Sequence, residues 1–132
     1  MAHGHHEHTH EHEHEHEHDE LQSCIEACLN CHAACTMAVQ HCLSEGGEKA
    51  DIDLVGVLLD CAEICQTSAN FMLRGSPYHP AVCGACAELC RAAEEACRSV
   101  SDDEQLTECA EMCASCAEHC DHMASEEGED EE

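Results

Sequence analysis

The sequence predicts an all-α fold: an antiparallel up-down-up-down four-helix bundle built from two duplicated helical hairpins, with disordered N- and C-terminal tails. Three observations predict it. Between residues 21 and 124, cysteine and apolar positions recur at alternating spacings of three and four, the period of a helix with one buried face. Glycine, proline and capping residues cut that pattern into four blocks joined by short connections, which favours antiparallel neighbours. The pattern also repeats after 55 residues: Cys28, Cys31, Cys35, Cys42, Cys61 and Cys65 map onto Cys83, Cys86, Cys90, Cys97, Cys116 and Cys120. Under the same shift Cys24 falls on His79, and Leu54 and Leu58 fall on Cys109 and Cys113.

Residues 1–20 carry nine histidines and seven acids with no apolar periodicity, the composition of a disordered metal-binding tail. The first helix is expected from about Leu21 to Ser44, stopped by Gly46-Gly47. Asp51 is placed to cap the second helix, which should end near Arg74 with Gly75 just beyond it. Pro80 suits the first turn of a third helix running to about Val100, because its fixed φ and missing donor cost nothing there. Ser101-Asp102-Asp103-Glu104 reads as a capping box opening a fourth helix that ends near Ala124. Residues 125–132 are nearly all acidic and are expected to be a solvated tail. The bundle domain is therefore 21–124.

Composition removes several function classes. A formal charge of −26, with four fixed cations, argues against a nucleic-acid partner. No run of eighteen apolar residues is present, so no membrane span is expected. Fifteen cysteines usually suggest a secreted disulfide scaffold. Here the count is odd, the first twenty residues hold no apolar signal-peptide core, and the spacing is helical rather than loop-rich. A reducing cytoplasm is the expected location.

On a heptad frame the first helix offers Cys24, Cys28, Cys31, Cys35, Ala38 and Cys42 to the core. The second offers Leu54, Leu58, Cys61, Cys65, Ser68 and Met72, and the third Cys83, Cys86, Cys90, Ala93 and Cys97. The fourth offers Leu106, Cys109, Cys113, Cys116, Cys120 and Met123. Every cysteine falls on the inner seam. One or two would pass as small hydrophobes. Fifteen weaken an aliphatic core, at roughly 0.8 kcal/mol per missing methylene, and call for a ligand role.

Thiolates select soft metals: Cu(I), Zn(II), cadmium or iron–sulfur clusters. The iron–sulfur spacing C-x2-C-x2-C-x3-C-P does not occur. Zinc takes four thiolates per ion and leaves about two uncompensated negative charges at each site, whereas one Cu(I) per thiolate leaves the core neutral. No Lys or Arg lies on the seam to absorb the excess. Multiple Cu(I) ions are the expected cargo, with zinc or cadmium sequestration as the alternative. A redox enzyme would need an exposed low-pKa thiol at a helix start, and only Cys83 and Cys86 stand near one.

The C-x3-C-x2-C-x3-C runs at Cys24–Cys35 and Cys109–Cys120, set in duplicated hairpins, resemble the bacterial cysteine-rich four-helix-bundle copper storage proteins over roughly residues 21–124. The resemblance, to the cytosolic branch, implies Cu(I) held inside each bundle, no catalysis, and a homo-oligomer, often a tetramer. The long His/Glu tail departs from that pattern.

Two further expectations concern histidine and methionine. Up-down topology gathers Cys24, Met72, His79, His119, His122 and Met123 at one end, which reads as a mouth for copper, with His79, Met72 and Met123 as added ligands. The other end, with Cys42, Leu54, Leu58, Cys97, Val100 and Leu106, reads as apolar and closed. His32 and His41 are expected to face solvent. The tail histidines suit Ni(II), Zn(II) or Cu(II). Alternating His-Glu runs also serve as purification tags, but the irregular opening AHGHHEHTH favours a natural segment.

Overall fold

In a computed structural model the chain is described by its backbone over residues 2–100 and 102–131, with side chains for 19–100 and 102–125. Four helices follow one another: α1 Ala2–Glu45, α2 Ile52–Leu73, α3 His79–Arg98 and α4 Glu104–Glu131. A short 3-10 turn, Gly47–Ala50, links α1 to α2. Each helix packs against two neighbours, α1 on α2 and α4, α3 on α2 and α4, so that α1 and α3 face each other across the core. This is the up-down-up-down bundle the seam pattern predicts.

The breaks arise where the sequence places them. α1 ends as Gly46 and Gly47 turn to φ 74° and 60°, a left-handed backbone that suits glycine. Asp51 caps α2 through its carboxylate, which accepts from the N–H groups of Asp53 and Leu54 at 3.0 and 3.2 Å. α2 closes in a Schellman turn: Ser76 N–H donates to Phe71 O at 2.9 Å and Gly75 N–H to Met72 O at 3.1 Å, with Gly75 at φ 67°. Pro80 lies in the first turn of α3.

One expectation needs correction. The cap of α4 is Asp103, whose Oδ1 accepts from Leu106 N–H at 3.1 Å; Asp102 takes a left-handed φ of 62° to aim it. Ser101, the expected first residue of the box, lies outside the described residues. The described backbone of α1 begins at Ala2 and that of α4 ends at Glu131. The side chains of residues 1–18, and with them the expected metal binding of the nine histidines, lie outside the described residues.

All fifteen cysteines are buried, at 2% exposure or less. Alanines fill the gaps between them: Ala38, Ala62, Ala69, Ala87, Ala93, Ala110 and Ala117 are also buried. Leu54, Leu58 and Leu106 are the buried leucines of this core among the described residues, with Leu21 packed against it.

Candidate metal centre

Because successive inner positions on each helix are three or four residues apart, their sulfurs stack along the bundle axis. The thiols form an unbroken path. From Cys24 it runs to Cys120 at 3.8 Å, Cys28 at 3.5 Å and Cys116 at 3.7 Å. It crosses the core diagonally from Cys116 to Cys65 at 3.9 Å, then passes to Cys90 and Cys61 at 3.7 Å each. Cys31 follows at 3.9 Å, Cys113 and Cys35 at 3.7 Å each, and Cys109 at 3.8 Å. Cys86 joins from the side, 3.7 Å from Cys65.

Four quartets of sulfur lie within 4.8 Å of one another: Cys28/Cys86/Cys116/Cys120, Cys31/Cys35/Cys61/Cys113, Cys31/Cys61/Cys65/Cys90 and Cys65/Cys86/Cys90/Cys116. A triplet, Cys24/Cys83/Cys120, adds the end of the column. Several cysteines belong to two sets, so the sites share corners. Only Cys42, Cys97 and Cys109 stand outside every set.

The thiols bias one another's ionisation. Contacts with Cys116 and Cys120 push Cys28 down to about 6, while contacts with Cys109 and Cys113 push Cys35 up. Cys42, apart from the sets, is pushed up by burial and next by the negative charge of Asp103. Apart from these thiols the buried polar or charged residues are Ser68 and Asp103, so among the described residues no fixed cation lies in the core.

At the end where Cys24 lies, Cys83 meets Met72 Sδ at 3.9 Å and Ser68 Oγ at 3.4 Å. Met123 is buried in the same core. His79 is half-buried, with Nδ1 3.0 Å from Ser76 O, and its charge helps lower Cys83, after the larger effect of Cys120 and Cys24. His119 and His122 line a surface cavity at the junction with Asp19 and Glu20. Ser68 was legible as a seam position, but its contact with Cys83 was not.

The opposite end differs from expectation. It is packed by Leu54, Leu58 and Leu106, yet it also holds a polar cluster. The buried Asp103 carboxylate meets His41 Nε2 at 2.8 Å and Lys49 Nζ at 2.9 Å. Burial alone would raise this carboxyl; hydrogen bonds from His41, Lys49 and Leu106 N–H outweigh it and hold it well below the usual carboxylate range. His41 is therefore not a solvent-facing residue, and neither is His32, whose Nδ1 lies 2.7 Å from Ala62 O. Both flank the cysteine seam on α1, where side chains reach the neighbouring helix: His32 towards α2 and His41 towards the start of α4.

A helical bundle whose inner face is a continuous, corner-sharing lattice of thiols defines a soft-metal-binding protein that holds many ions at once. A family model described as copper storage protein matches residues 17–125. The chain belongs to that family. It is similar to the Cu(I)-bound copper storage protein BsCsp3 of Bacillus subtilis, at 32% identity and TM-score 0.76, covering 80% of this chain and 98% of that one. It is also similar to a cytosolic copper storage protein from Streptomyces lividans loaded with five coppers, at 34% identity and TM-score 0.74, covering 81% and 93%. A cysteine-rich protein of Bacillus subtilis, YhjQ, is 33% identical over 69 residues, 52% of this chain and 64% of that protein's length.

Proposed function

We infer that this protein stores copper, holding many Cu(I) ions on the thiolates of Cys24, Cys28, Cys31, Cys35, Cys42, Cys61, Cys65, Cys83, Cys86, Cys90, Cys97, Cys109, Cys113, Cys116 and Cys120. The observation that carries this is the corner sharing among the sulfur sets. Monovalent copper accepts two or three bridging sulfurs, whereas zinc favours separate tetrahedra that would leave anionic sites in a core where no fixed cation lies among the described residues. The Cu(I)-bound state of a relative supports the same choice over zinc or cadmium.

Storage rather than catalysis fits the burial of every thiol, since a redox enzyme needs one that solvent can reach. His79, Met72 and Met123 are read as accessory ligands at the mouth beside Cys24. No helix among the described residues is long and apolar enough to cross a membrane. A cytosolic location and a homo-tetramer follow from the family resemblance, and the His/Glu segment is read as a collector of Ni(II), Zn(II) or Cu(II).

Titration of the anaerobically reduced protein against a Cu(I) chelator tests the central point. On the order of one Cu(I) per cysteine is expected. Saturation at three or four metals per chain, with zinc competing equally, would refute storage of copper.

A further inference from the structure

At the end where Cys24 lies, three helices supply sulfur to one set: Cys24 from α1, Cys83 from α3 and Cys120 from α4. α2 passes the same level but supplies Ser68 instead, one helical turn beyond Cys65. Ser68 is fully buried, and its Oγ lies 3.4 Å from Cys83 Sγ. In a core of cysteine and alanine a hydroxyl is the costlier choice, because it must find a hydrogen-bond partner away from water. Alanine would pack there without that demand, and cysteine would extend the column. Cys24 and Cys83 belong to no other set, and Cys120 alone is shared with a quartet. An ion on this triplet is joined to the rest of the store through a single corner.

We propose that Ser68 keeps the Cys24/Cys83/Cys120 set at three sulfurs and thereby makes its copper the most readily exchanged ion of the store. Two properties of the hydroxyl act in the same direction. Oxygen is a hard donor that Cu(I) passes over, so the ion gains no fourth thiolate from α2. Once Cys83 is a thiolate it has no proton to give, so Ser68 Oγ donates to it. That charge-assisted bond fixes the Cys83 sulfur and draws electron density away from the metal. The other α2 donor, Met72 Sδ at 3.9 Å from Cys83 Sγ, is an uncharged thioether and does not replace a thiolate. Deeper sets such as Cys31/Cys61/Cys65/Cys90 hold four thiolates and share more corners, so their ions leave later.

This role of Ser68 rests on the storage reading for the ion itself, and one experiment separates the two. The full-length protein and its variants are saturated anaerobically with Cu(I), and excess Cu(I) chelator then removes the metal in a stopped-flow cell. Total copper released reads storage, whereas the fast phase reads the exchange site. For the wild type a fast phase of about one ion is expected ahead of slower ones. Ser68→Cys should slow that phase by about tenfold or more. Ser68→Ala, with neither hydroxyl nor sulfur, should keep it within about threefold of the wild-type rate. Cys83→Ser should remove the fast phase and leave the slow phases in place. Absence of a fast phase in the wild type, or its survival in Cys83→Ser, would overturn the proposal. So would release at the wild-type rate from Ser68→Cys, or an alanine variant slowed as much as the cysteine one.

Discussion

The two ends of the bundle were built by one duplicated pattern and yet have become chemically opposite. Near Cys24 the column finishes in a sulfur triplet, a methionine thioether and half-buried histidines. At the other end Cys42, Cys97 and Cys109 stand outside the tight sets, Leu54, Leu58 and Leu106 fill the core, and Asp103 ties α4 to α1 and the first connection. The shift of 55 residues shows how this arose: Leu54 and Leu58 occupy the positions that Cys109 and Cys113 hold in the second hairpin. Giving up two thiols at one end supplies the aliphatic packing that a core of cysteine and alanine lacks. One end is packed for cohesion; the other is the proposed point of exchange.

The largest test of that contrast is Leu58→Ala, which should destabilise the metal-free protein by about 2–5 kcal/mol in denaturant unfolding. Met123→Leu at the proposed mouth conserves volume and should cost less than about 1.5 kcal/mol. Equal losses would erase the distinction. Next, Cys90→Ser removes a sulfur shared by two quartets and should lower Cu(I) capacity by roughly two ions, against at most about one for Cys42→Ser. Equilibrium titration reads both.

Asp103 gives a smaller and pH-dependent effect. Its carboxyl is held below the unfolded value of about 4, so its contribution is present above that pH and disappears as the pH falls through the folded value. Asp103→Ala should cost about 1 kcal/mol near neutrality through the lost cap, and the gap in melting temperature from wild type should shrink below about pH 4. A constant gap would mean that His41 and Lys49 contribute nothing. Smallest of all, His79→Ala should change the stopped-flow rate of Cu(I) uptake by a few-fold while leaving capacity unchanged. Unaltered uptake there, with altered uptake in Leu58→Ala, would reverse the assignment of the ends.

The heptad pattern made the fold and the burial of every cysteine legible, because a sulfur at each inner position leaves one way to roll each helix. Asp51 and Gly75 were equally readable, since each has a single geometric role at its helix end. The cap of α4 was not: choosing Asp103 over Ser101 depends on the left-handed turn at Asp102, which composition does not announce. His32 and His41 were misjudged because they border the seam, where a polar side chain can turn either to water or to the next helix. Only the position of Ala62 O and Asp103 decides between them.

The continuous sulfur path has a consequence for proton balance. Each thiol releases its proton as the resulting thiolate binds copper, so at one Cu(I) per cysteine a singly charged ion replaces a singly charged ion. Such filling leaves the formal charge of −26 unchanged, and full and empty copies differ little in their attraction for ions or neighbours. The store trades hydrogen ions for copper at constant charge. Acidification favours discharge, and uptake acidifies the surroundings by about one proton for each copper gained.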